Sequence, residues 1–580
     1  MYKFFIKWIL ILATALLVIL PEIYLLKDAG FSARINLLGT DAESHYLSRI
    51  NEVYDGHYFL GNTYFESKNI PYLHPAGGEL IEGLIGKVLN TPIYWLNIWF
   101  KFISVIIIFW MIHQFVFYVS KSWAGALLAP ALVILGKNFF SYPIDFFRTI
   151  FGLNTQYGSF NWFERPINPE ISAIVIFGFL LCFYLFYLRK EKKYLTLSAL
   201  LLGFSFYLTV FAWGFLSIFT GIFFLIDWWR NRKINWHMIG IGVAGALLSV
   251  PYWINFWQAS QNTNYAEAAR RLGAIASRAP VLSSVSIIFV ALIIFFVWIY
   301  KNYELRKNEA VLGISVIVAI FLGENQQIIT GQIIQPAHFH SYLAIPMLLI
   351  AGSILAVETL RCLVKEGKIK KIVLVGFISV SLIFLMFASF KSQVSAYENQ
   401  KSIALNNQGY APVIEWLNKN VPKGAVVEAV PQSLGEIIPV YTGLNVYYSY
   451  YAQFYLNSFD QLEKGLFLEY KLRDLVPEVA RRDFFQILRP QISSLLYGIY
   501  YRDARGGYEN IPDDIVQKIT DDYSAYYNKD WSETLAQYPL DYIIVDTDQD
   551  VLGLLDPDLL KHLNERAVIN DRFIIFSVRK

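Results

Sequence analysis

Seven ionisable side chains, Asp41, Glu43, His45, Arg49, Glu52, Asp55 and His57, fall within "TDAESHYLSRINEVYDGH", just after an apolar N-terminal run. A carboxylate at a lipid boundary loses hydration, so its presence there needs a reason. One reason is chemical: Asp41, with Glu43 beside it, is a candidate general base or metal ligand. The other is structural. Thr40-Asp41-Ala42-Glu43 fits a capping box in which Thr40 caps a helix, Glu43 reaches back to the Thr40 amide and Asp41 favours the positive end of the dipole. Helical spacing then groups Glu43, Leu47, Ile50 and Tyr54 on one face, and Asp41, His45, Arg49 and Glu52 on another, with Asp41 and His45 as i,i+4 neighbours.

Three more stretches carry residues of similar type. In "GSFNWFERPINPE", Glu164 and Arg165 precede an apolar run, and Arg165 has the planar fork that suits a phosphate; an interfacial arginine paired with Glu164 or Glu170 explains it equally well. "GENQQIITGQIIQPAHFHSY" carries Glu324, His338 and His340. As an extended pair His338 and His340 face opposite ways, which disfavours a two-histidine metal clamp and leaves one of them as a phosphate donor, or both as ordinary headgroup-level histidines. "YLHPAGGE" puts His74 and Glu79 at the start of an amphipathic segment, where the glycine pair suggests a turn first and a site second.

The elements that must position these residues are membrane spans. The chain has 580 residues, 55% hydrophobic and 16% charged, with a mean hydropathy of +0.40, which is far too apolar for a soluble protein of this size. Its net charge of +3, from 49 basic against 46 acidic side chains, gives no bulk attraction for nucleic acid. Cys182 and Cys362 lie in or beside apolar segments and cannot staple a large external domain.

Apolar windows predict about eleven spans, near 4 to 26, 93 to 119, 122 to 136, 171 to 188, 194 to 210, 212 to 228, 236 to 257, 282 to 300, 309 to 323, 340 to 360 and 371 to 390. The first is read as a retained span, because its apolar stretch outruns a signal peptide and lacks a small-residue cleavage site. Lys121, "RKEKK", "RNRK", "KNYELRK" and "RCLVKEGKIKK" fall on one side, which the positive-inside rule makes the cytoplasm. The N-terminus is then cytoplasmic, and the loop 27 to 92 and everything after residue 390 lie outside the cell membrane.

Within that loop, "GELIEGLIGKVL" has Leu80, Ile81, Leu84, Ile85, Val88 and Leu89 on one face and is too short to span, so it is expected to lie flat in the interface. Residues 1–390 thus form a transmembrane domain, and 391–580 an extracytoplasmic α/β domain in which "APVIEWLNKNVPKGAVVEAV" reads as helix, turn and strand, and "LDYIIVDTD" and "RFIIFSV" as buried strands. The tyrosine-dense "VYYSYYAQFY" is expected to pack onto the membrane domain, with stacking on a sugar as the alternative.

A first span, a long external loop opening on the acidic "DAE" (Asp41 and Glu43), interfacial helices, many further spans and an external C-terminal domain resemble the GT-C superfamily of integral-membrane glycosyltransferases. Uncharacterised bacterial multi-spanning proteins of that type are similar at "HPAGGE", "ERPINPE" and "IPVYTG". The resemblance implies a sugar taken from a polyprenyl-phosphate carrier and passed to a glycan, lipid or protein acceptor with inversion. It implies Asp41 and Glu43 as catalytic carboxylates or ligands of a divalent cation (Mg or Mn); by residue type and outer-loop position, His45, Arg49, His74, Glu164, Arg165, His338 and His340 are the candidate phosphate or acceptor contacts. The chain has no "WWDYG"-like motif, which argues against glycosylation of asparagine sequons.

Two other classes compete. A lipid or glycan transporter or flippase predicts ionisable residues near mid-membrane and internal repeats, whereas the spans read as nearly free of charge and no repeat is found. A non-catalytic membrane scaffold leaves the acids as caps.

Overall fold

Pro21 sits in the first turn of the second of two N-terminal helices, Tyr2–Val18 (α1) and Leu20–Ala29 (α2). The two are bent by 54° at the break. The computed structural model describes residues 2–30, 34–40, 42–136, 160–281, 284–302, 307–334, 336–365, 370–498, 511–549 and 556–579, with 144, 148, 151 and 367. Asp41 lies outside the described residues.

Every one of the eleven apolar windows falls on a helix, but length sorts them differently. Among the described residues five helices are long and apolar enough to cross a membrane, and up to seven if each bent pair is one span. The described residues thus make a multi-pass helical protein. Trp123–Leu135 (α6) is apolar but shorter, and the window at 194 to 210 is a helix of 14 residues, Lys192–Ser205. The helix that carries the last apolar window runs on past residue 390: Lys371–Asn407 is one continuous helix of 37 residues.

Two long spans, Ile93–Ser120 (α5) and Glu170–Arg189 (α7), pack side by side, with α1 and α6 against α5. Phe115 of α5 meets Tyr184 of α7 edge-on at 6.4 Å, while Phe179 and Phe183, both fully buried, turn to Phe219 on the span Val210–Asn231. α5, α7 and the span Val210–Asn231 each close on a basic residue with positive φ, Lys121, Lys190 and Arg232, where the negative end of the helix dipole favours a cation.

The first loop holds two short helices. Glu43–Asp55 (α3) and Gly77–Leu89 (α4) approach closely because α4 turns its glycines inward. A Cβ on Gly83 would lie 2.7 Å from Val53, and one on Gly86 2.0 Å from the Tyr54 hydroxyl. As a result Glu79 and Glu82 are buried, while Leu84, Ile85, Val88 and Leu89 point outward. An apolar outer face over a polar inner one suits a helix lying in a lipid interface.

The C-terminal part carries a five-stranded mixed sheet in the order β4-β3-β5-β7-β6. The strands are Val426–Val430 (β3), Asn445–Val446 (β4), Tyr542–Asp546 (β5), Leu563–Ile569 (β6) and Phe573–Val578 (β7), numbered after a two-stranded ribbon of Ala274–Ala276 (β1) and Gln332–Ile334 (β2). β3 lies parallel to β4 and β5; β7 runs antiparallel to β5 and β6. The edge strand β6 is largely exposed and carries Glu565 and Arg566, charges that discourage pairing with another chain.

After β3, the helix Gln432–Tyr441 packs on both that strand and α3. Asn51 of α3 donates to the carbonyls of Pro439 at 3.1 Å and Thr442 at 2.6 Å. The first loop is therefore gripped between the membrane helices and the sheet.

Candidate functional site

Glu43 sets the start of α3. Its Oε2 accepts from the amides of Leu38 at 2.7 Å, Gly39 at 2.9 Å and Thr40 at 3.4 Å. Gly39 and Ala42 take positive φ (73° and 55°) to fold the turn around the carboxylate. This is half of the expected capping box: Glu43 reaches back, while the Thr40 hydroxyl is buried with no hydrogen-bond partner. Burial pushes the Glu43 carboxyl up to about 7, against the pull of Lys101. Its Oε2 is spent on the backbone, whereas Oε1 is buried with no hydrogen-bond partner; the helix begins at Glu43, and the expected i,i+4 pairing of Asp41 with His45 lies outside the described residues.

Six residues further along α3, Arg49 is fully buried. Its guanidinium donates to Glu79 Oε1 at 2.7 Å, to His74 Nδ1 at 2.8 Å and to the His74 carbonyl at 2.8 Å. Arg49 therefore ties "YLHPAGGE" to α3 and does not line the chamber described next. Because arginine only donates, Nδ1 of His74 must accept, which leaves the ring proton of a neutral His74 on Nε2. Burial, then the charges of Arg49, Arg165 and His338, hold His74 well below the usual imidazole range. His45 is neutral for the same first cause, aided by Arg49, His74 and Arg165. Its ring sits in an aromatic box with Phe454 at 5.1 Å, Tyr455 at 5.7 Å and Tyr451 at 5.8 Å.

These pieces meet at a chamber of about 510 Å³, within the ~300–1,000 Å³ typical of small-molecule sites. His45, His74, Arg165 and His338 all line it, as does Ala42, the chain neighbour of Asp41. Arg165 donates to the hydroxyls of Tyr342 at 2.8 Å and Tyr46 at 3.1 Å, and its guanidinium carbon lies 5.2 Å from the centre of the Tyr46 ring. His338 packs 5.3 Å from Tyr342 and 6.0 Å from Phe211. Trp213, Tyr252, Trp253 and Phe256 form an apolar wall, and Phe454 reaches in from the tyrosine-dense C-terminal segment. No described lining residue is an aspartate or glutamate.

The remaining candidates lie elsewhere. Glu164 is fully buried beside Lys101, whose Nζ is 2.7 Å from Glu22 and 3.3 Å from Glu164. This lysine with two carboxylates also corrects the expectation that the spans are nearly free of charge; the ion pairs offset the cost of burial. His340 turns away from the chamber to Glu324, 3.5 Å distant. The pair is helical, not extended: Pro336–Phe339 runs into a π-turn over His340–Ala344. Residues two apart still diverge there, and Phe339 between them fills a gap left by Gly214 and Gly323.

Among the described residues no three histidine, cysteine or carboxylate side chains converge as a metal-ligand set. Sequence reasoning missed Arg271, a second chamber arginine in "AARRLGA", along with Tyr46 and Tyr342. The doubled arginine between the spans was the available sign.

The described residues define a multi-pass membrane protein with an aromatic-walled, cation-lined chamber roofed by its first loop and its C-terminal part. No protein-family model matches the chain, and no curated protein matches it. Among solved structures it is similar to ArnT from Cupriavidus metallidurans. For the form bound to undecaprenyl phosphate the identity is 11%, covering 97% of each chain, with a TM-score of 0.43. For the apo form it is 12%, again over 97% of each chain, with a TM-score of 0.41. The chemistry rests on the chamber side chains.

Proposed function

We propose that the chain is a glycosyltransferase of the GT-C type that moves a sugar from a polyprenyl-phosphate donor to an acceptor at the outer face of the cell membrane. The N-terminus is then cytoplasmic, and residues 391–580 form an extracytoplasmic domain. The observation that carries this reading is the convergence of His74, Arg165 and His338 on one aromatic-walled chamber that Ala42 also lines. A cationic pocket beside apolar walls suits a prenyl phosphate, and rings such as Trp213 and Trp253 suit a sugar face.

In this mechanism Arg165 neutralises the departing phosphate, its guanidinium oriented by the Tyr342 and Tyr46 hydroxyls. His74 donates through Nε2–H, and His338 is a second imidazole donor. Asp41 takes the proton of the acceptor hydroxyl as its oxygen attacks the anomeric carbon. The bond from that carbon to the phosphate oxygen breaks, and the electron pair leaves with the prenyl phosphate. A single in-line displacement inverts the anomeric centre. Glu43 holds the turn and Arg49 holds His74; neither touches substrate.

The test is transfer of a labelled sugar from synthetic prenyl-phosphate donors by the purified protein. Asp41→Asn is expected to abolish turnover, whereas Glu43→Gln lowers stability more than turnover. Equal turnover by wild type and Asp41→Asn removes Asp41 from the chemistry and leaves the first loop a cap.

A further inference from the structure

Arg271 closes the short helix Tyr265–Arg271 and is fully buried at the chamber wall. Its Nε donates to the Gln453 carbonyl at 3.2 Å, and Nη2 to the carbonyls of Asn457 at 2.5 Å and Tyr455 at 3.3 Å. Gly498, at φ 105°, lets the C-terminal segment press against it; a Cβ there would stand 2.7 Å from the Arg271 Cα. The side chain is thus locked in place by neutral acceptors. Nη1 is buried with no hydrogen-bond partner.

A staple holding the C-terminal segment accounts for the three carbonyl bonds but not for the idle Nη1, whose two N–H groups lose water and gain nothing. Burial lowers the guanidinium to about 10, with Glu267 the acid that opposes the shift. An uncompensated buried charge is costly and is relieved by an anion that arrives with a ligand. The rest of the wall agrees: two arginines and three histidines line the chamber, and no described acid does. Arg165 and Arg271 are held by different partners, Arg165 by the Tyr46 and Tyr342 hydroxyls and Arg271 by the carbonyls of Gln453, Tyr455 and Asn457.

We propose that Arg271 makes a second, anion-reading subsite, so that the sugar or glycan sharing the chamber with the prenyl phosphate bears a carboxylate or a phosphate. This rests on the reading of the chamber as a prenyl-phosphate site and adds the charge of what is transferred or what receives it.

The experiment titrates the full-length protein in detergent, first with farnesyl phosphate and then, in the farnesyl-phosphate-saturated protein, with glucose, glucuronate and glucose 1-phosphate. Wild type is expected to bind glucuronate or glucose 1-phosphate at least tenfold more tightly than glucose, the preferred one telling carboxylate from phosphate. Arg271→Gln should remove that preference, Arg271→Lys should keep part of it, and both should still take farnesyl phosphate. Equal binding of glucose and both anions by wild type overturns the proposal even if Arg271→Gln does not fold, and so does a preference that survives in Arg271→Gln. Failure of farnesyl phosphate to bind wild type at all overturns instead the reading of the chamber as a donor site.

Discussion

Arg49 and Glu79 form an ion pair of 2.7 Å with both side chains 1% exposed, and the same guanidinium nitrogen reaches His74 at 2.8 Å. One buried cation thereby joins α3 to the turn that presents His74 to the chamber. Removing Glu79 strands a buried charge, at a cost of about 3–5 kcal/mol. Glu79→Ala is expected to lower the thermal midpoint sharply and to cut turnover. Arg49→Lys should not rescue function, because a point charge does not span Glu79 and both His74 acceptors. Thermal unfolding in detergent with a matched transfer assay checks this.

Alongside Glu43, Glu82 adds a pH dependence to the first loop. Burial pushes its carboxyl up to about 8, with Lys101 opposing and Glu79 adding to the shift. Its folded value lies above its unfolded one, so between about pH 4.5 and 8 the folded state binds more protons than the unfolded state, and stability falls as pH rises. Glu82→Gln should therefore gain on wild type as pH increases, with the difference small near pH 4.5 and largest above pH 8. Melting curves across that range give the answer; a constant offset would contradict the buried, protonated Glu82.

Gly323 and Gly214 make a paired test of how His338 is aimed. A Cβ on Gly323 would stand 2.6 Å from the Phe339 ring, while one on Gly214 would stand 3.4 Å from it. Gly323→Ala must displace Phe339, at about 1–3 kcal/mol for an overpacked core, and with it the adjacent His338. Gly214→Ala should be close to silent. Turnover and thermal midpoint of the two variants, compared side by side, distinguish them.

The two tyrosines on Arg165 predict a graded series. Arg165→Gln should cost about 100-fold in turnover, the usual scale for losing a charge-stabilising donor. Tyr342→Phe and Tyr46→Phe, which leave the charge but free its orientation, should each cost roughly tenfold or less, about one hydrogen bond. Equal losses in all three would mean that the tyrosines act on substrate themselves.

Sequence periodicity was enough for the helices, because apolar runs and basic flanks are local, and all eleven windows landed on helices. It also located β3, β5 and β7, whose buried faces are continuous; β6 escaped because its edge position leaves "LNERAVI" mostly polar and exposed. The site was partly legible. His74, Arg165 and His338 stood out by type and by outer-loop position, and the fold brings them together. What sequence did not reveal was direction: Glu43 and Arg49 look like chemistry, yet one carboxylate oxygen of Glu43 holds three backbone amides and Arg49 is turned to Glu79 and His74. Arg271, Tyr46 and Tyr342 escaped because only tertiary packing aims them.

The central claim is that this chamber breaks the bond between a sugar and a prenyl phosphate. ³¹P NMR of a synthetic prenyl-phosphate sugar incubated with the purified protein and an acceptor extract reads that bond directly. The account predicts conversion of the phosphodiester signal to a phosphomonoester by wild type, about 100-fold slower with Arg165→Gln and absent with Asp41→Asn. A phosphodiester that stays intact, across donors of different sugar and prenyl length, would contradict it.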